Sequence, residues 1–134
     1  MFEDADLIHR YTRADAIRDG VLIDVSAAAR DAGFTFPVAL TAAAWSRCVE
    51  VPPGVLCQDE AGRLWDVLTM LRVAAGRPGE DPHEVRFAVH VRNDNRERTP
   101  PLVRLKALCG PGDQGEPVIT ILMPDEGASC HDAD

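Results

Sequence analysis

Aromatic side chains are scarce, at 5% of the 134 residues, so any interior must be built mostly from Val, Leu, Ile and Ala. The apolar fraction of 46% and charged fraction of 27% are those of a globular chain, not a disordered one. At this length the chain has room for one ordinary domain. Long apolar runs are missing too: nothing approaches the roughly 18 residues that span a bilayer. The opening residues include Glu3, Asp4 and Asp6, whereas a secretory signal begins basic and then runs apolar. These absences predict a cytoplasmic protein without a membrane. Positive charge is also short, with 14 Lys and Arg against 22 Asp and Glu and a net charge of -8. That balance favours solubility and opposes a sequence-independent grip on phosphates. The chain is therefore expected to bind nucleic acid weakly or not at all by itself.

The four cysteines, Cys48, Cys57, Cys109 and Cys130, form no C-x-x-C pair, so no zinc spacing is present. A cytoplasmic setting argues against disulfides. The expectation is two buried free thiols and two loop thiols, with no metal and no cofactor. Cys130 and His131 are adjacent and could bind a metal adventitiously.

Local signals place the elements. Thr12 and Asp15 make a capping-box pattern before a helix at about 13–19, which Gly20 ends. Val21–Val25 reads as a strand, and Ser26 as the cap of a second helix at about 27–32. Phe34–Leu40 reads as extended and packed. Thr41 caps a third helix at about 42–50, which Pro52, Pro53 and Gly54 stop. The longest helix covers about 58–76, with Ala61, Leu64, Leu68, Leu71 and Ala75 on one stripe and Trp65 beside it. Arg63 is expected on the other side, paired with Asp59 at i,i+4. Trp45 and Trp65 are expected to anchor the core. After Pro82 the period becomes two: Val85, Phe87, Val89 and Val91 alternate with Arg86, Ala88, His90 and Arg92. A second strand covers about 102–109. A third, Val118–Met123, is nearly all apolar and fits the centre of a sheet.

The expected fold is α+β: N-terminal helices packed on a small antiparallel sheet, made of a three-stranded C-terminal meander plus the strand at 21–25. Residues 1–124 form the single domain, and 125–134 a flexible acidic tail.

Three places invite a functional reading. The loop Gly110–Gly115 is rich in glycine, but it joins two strands and lacks phosphate-loop spacing, so it reads as a hairpin connection. Asp24 and Ser26 stand where a strand leads into a helix, without a G-x-S-x-G motif. Arg86, His90 and Arg92 share one strand face, and Arg104 and Lys106 share the next strand's outer face. A solvated sheet face explains them simply. Read functionally, His90, Arg92, Arg104 and Lys106 are the candidate ligand- or partner-binding residues.

Five segments together resemble a known family: Arg13–Ser26, Phe34–Thr41, Gln58–Leu68, Val89–Asn95 and Leu105–Leu122. The family is one of short, uncharacterised bacterial proteins, often met on plasmids and integrated mobile elements. The resemblance implies a bacterial accessory protein and transfers no catalytic residue. The expected function is a non-enzymatic interaction protein of a bacterial mobile element, with another protein as partner and homo-oligomerisation left open. The alternative is a small enzyme or small-molecule-binding domain with its site on the sheet face.

Overall fold

A computed structural model describes residues 11–56, 58–77, 83–93, 95 and 99–126. In chain order the elements are α1 (Arg13–Arg18), β1 (Leu22–Asp24), α2 (Ser26–Asp31), β2 (Val38–Thr41), α3 (Ala42–Cys48), α4 (Glu60–Ala75), β3 (Glu84–His90), β4 (Leu102–Pro111) and β5 (Pro117–Leu122). The α+β expectation holds, with a sheet of five strands in the order β1-β2-β5-β4-β3.

The C-terminal meander forms as read from the alternation. β3 pairs antiparallel with β4, and β4 with β5. The remaining pairing was not foreseen. Residues 38–41, expected only as an extended stretch, form a strand that runs parallel to β5 and antiparallel to β1. The sheet is therefore mixed rather than antiparallel, and strand 21–25 joins it at the far edge through β2. The apolar β5 lies third of five, as its composition predicted.

Alternation divides the sheet into two faces. Val38, Leu40, Ile121, Val103, Leu105, Ala107, Phe87 and Val89 point into one core cluster with Ala29 of α2, Ala44 and Cys48 of α3, and Leu64, Val67, Leu68 and Leu71 of α4. Helices α2, α3 and α4 thus cover one face.

The caps explain where the helices begin. Thr12 and Asp15 form the expected capping box on α1, and the Thr41 hydroxyl accepts from the Ala44 N–H at 3.2 Å. Asp59 caps α4 by accepting from the Gly62 N–H at 2.6 Å. Ser26 does not cap α2. Val25 holds that position, and the Ser26 hydroxyl donates to Asp24 Oδ1 at 2.6 Å and accepts from the Val38 N–H at 3.1 Å. The side chain bridges two strands instead of a helix end.

Helix α4 departs most from its sequence reading. Its inner side is Leu64, Val67, Leu68 and Leu71, while Ala61 and Ala75 are exposed. Arg63 is buried, at 5% exposure, and does not pair with Asp59. Its guanidinium donates to the carbonyls of Cys48 (3.0 Å) and Arg92 (2.8 Å) and to Asn93 Oδ1 (2.8 Å). The carboxylate was already engaged as the cap, and three carbonyl oxygens at chain turns supply what the fork geometry needs. Trp65 is 47% exposed and is not a core anchor, whereas Trp45 packs against the core.

Candidate functional site

The second sheet face carries the polar strand positions. Register places Arg86 opposite Lys106, Ala88 opposite Arg104 and His90 opposite Leu102. Three of the four candidate residues, His90, Arg104 and Lys106, are thereby brought together with Arg86. Arg92 follows the end of β3, and its carbonyl serves Arg63.

The members of this strip are held differently. Arg86 Nε meets Glu84 at 2.8 Å, and the Arg86 side chain is largely exposed. His90 Nδ1 lies 2.8 Å from the Pro100 carbonyl. Arg104 is exposed and makes no hydrogen bond or ion pair among the described residues. Lys106, the one lysine of the chain, is only 2% exposed and has no partner among the described residues. Among the described residues no buried side-chain nitrogen or oxygen lacks a hydrogen-bond partner. Arg86, Ala88, Arg104 and Pro124 border a cleft of about 280 Å³, floored by Phe87 and Leu105 of the two strands. Cys57, Cys130 and His131 lie outside the described residues, as do Arg96 and Arg98 of the neighbouring segment.

The other half of this face is used for structure. The Arg13 guanidinium donates to Thr120 Oγ1 (2.6 Å) and the Ile119 carbonyl (2.9 Å). The glycine-rich loop is a hairpin turn, as expected, and Gly115 takes the positive φ of 83° that its tight return requires. Its Asp113 carboxylate accepts the backbone N–H groups of Arg13 (2.7 Å) and Ala14 (3.0 Å). The loop thus fills the start of α1, where free N–H groups would otherwise meet water.

A second surface lies on the outer side of α4. Trp65 borders two open clefts. One, of about 520 Å³, is lined by Gln58, Asp59, Gly62, Arg63 and Asp66 as well; the other, of about 390 Å³, by Ala32, Thr69, Arg72 and Val73. Met70 and Val73 are also exposed. Sequence reasoning missed this surface because Trp65 was expected to anchor the core. The available signal was its place one residue after Leu64, off the axis of the apolar stripe.

Among the described residues no three His, Cys, Asp or Glu side chains group as metal ligands. Cys48 and Cys109 are free thiols, the first buried and the second half-buried. Burial raises the Cys48 thiol to about 11, against a smaller opposite pull from Arg47 and Arg63. Among the described residues no helix is long and apolar enough to cross a membrane.

Comparison with known proteins places the chain in one family. Residues 1–127 match the family of unknown function DUF6573, and the chain belongs to it. No curated protein and no solved structure matches the chain.

Proposed function

We propose that this protein is a non-enzymatic interaction protein, an accessory of a bacterial mobile element that acts by docking on another protein. The observation that carries the reading is Trp65, 47% exposed on the outer side of α4 between two open clefts. An exposed Trp flanked by concave surface is the kind of anchor that dominates protein interfaces. Asp59 and Asp66 line one of its clefts together with Arg63, Arg72 lines the other, and the chain as a whole is acidic, so the partner surface is taken to be basic. The side chains that might have suggested chemistry serve the fold instead. Ser26 ties β1 to β2, Cys48 sits in the core, and Arg63 binds backbone carbonyls. The mobile-element setting comes from the segment resemblance described above.

The test is affinity purification from the native bacterium with the wild-type chain and with Trp65→Ala. The reading expects a partner that the wild type retains and the variant loses. Equal recovery by both, or turnover of a small molecule with no partner, overturns it.

A further inference from the structure

We infer that the outer face of β3–β4 is an oxyanion-binding site, and that its ligand is a small molecule bearing a phosphoryl group. This site is separate from the α4 surface and does not depend on it. Arg86 and Lys106 are cross-strand partners, so their Cα atoms lie about 5 Å apart. Arg104 stands two residues from Lys106 on the same face, about 7 Å along the strand. Three permanent or near-permanent cations are therefore crowded within one small patch of an acidic protein.

Such crowding is unfavourable unless anions offset it. Among the described residues, Glu84 holds Arg86 by Nε, Asp24 accepts from Ser26, and Glu126 accepts from the Thr41 hydroxyl and the Met123 N–H. Lys106 is the telling residue. It is the only lysine in the chain, it is 2% exposed, and it is unpaired among the described residues. A surface charge kept merely for solubility would extend into water. This one is packed on the outer face of β4, with Arg86 opposite it and Arg104 two residues along the strand.

The cleft beside it selects the ligand class. Its volume of about 280 Å³ is at the lower end of small-molecule sites. Its lining includes Arg86 and Arg104, whose planar forks match the oxygen spacing of phosphate, and Lys106 is the cross-strand partner of Arg86. A long duplex meets the net charge of -8 before it meets the strip, whereas a small anion does not have to approach the rest of the surface.

The single lysine makes the test direct. In protein labelled with 13C-lysine, the side-chain signal reports Lys106 alone. Inorganic pyrophosphate is titrated at constant ionic strength, with acetate and a short single-stranded oligonucleotide as parallel probes. The expected result is a saturable shift with pyrophosphate and little with acetate. Arg104→Ala weakens that binding by roughly tenfold, the loss of one charge-assisted hydrogen bond. Arg47→Ala, on an exposed residue of α3, leaves it unchanged. No saturable shift, or an equal affinity in Arg104→Ala, overturns the site. An acetate response as strong as that to pyrophosphate overturns the phosphoryl assignment. Tighter binding of the oligonucleotide through Arg104, with steep salt dependence, overturns the small-molecule assignment.

Discussion

Arg63 does the work of a metal or a disulfide with hydrogen bonds alone. It ties α4 to the end of α3 through Cys48 and to the segment after β3 through Arg92 and Asn93. Asn93 extends the tie by donating to the Arg47 carbonyl at 2.9 Å. Arg63→Met keeps the stem but strands three acceptors, so it should destabilise the fold by about 3 kcal/mol in urea unfolding. Arg63→Lys should recover little, because an ammonium cannot reach three diverging acceptors as a fork does. A second residue-scale outcome concerns Cys48. Its thiol is raised to about 11 by burial, from an ordinary value of 9.0. The folded state therefore holds its proton where the unfolded chain has released it, and folding stability from this group falls as pH rises from about 9 towards 11. Urea midpoints of wild type and Cys48→Ala across this window should show the alkaline slope shrink in the variant. Alkylation mapped by mass should leave Cys48 unlabelled until the chain is unfolded.

Among the elements, α1 is the one most dependent on a distant partner. It has six residues, too few to be stable alone. Its capping box supplies one local anchor, and Asp113, a hundred positions away, accepts two more of its N–H groups. Asp113→Ala should cost about 1 kcal/mol, the usual worth of a cap. The loss should be local: hydrogen exchange should quicken in 13–18 and stay unchanged in β3. Equal quickening throughout the sheet would show that the hairpin, not the helix, was what Asp113 supports. The same contact explains why the glycine-rich loop resembles a ligand loop in sequence. It does receive N–H donors with an acidic group, but the donors belong to its own chain.

At the scale of the whole molecule, the parallel β2–β5 pairing joins two parts that are otherwise sequence-local. Leu40 and Ile121 are register partners there, and both are fully buried. Leu40→Ala and Ile121→Ala should each cost about 2–5 kcal/mol. Because the two side chains share one packing site, the double variant should cost less than the sum by about 0.5 kcal/mol or more. A fully additive cycle in urea would mean that the two parts fold without energetic coupling across that seam.

The sequence by itself determined the elements whose cause is local. The capping box at Thr12, the Thr41 cap, the period-two alternation of β3 and the apolar run of β5 each state their structure within a few residues, because caps and pleats are short-range physics. The same alternation put His90, Arg104 and Lys106 on one face, so most of the candidate strip was legible. Tertiary structure decided the rest. Whether residues 38–41 were a loop or a strand depended on β5, some eighty positions away. Whether Arg63 pointed out to Asp59 or inward depended on carbonyls left free at the ends of α3 and β3. Whether Trp65 lay in the core depended on which side of α4 met the sheet and the other helices. Lys106 shows the division most plainly: alternation assigned its face, but only the packing around β4 buried it. Side-chain burial is a property of neighbours brought together by the fold, and a linear pattern records the direction of a side chain without recording what it meets.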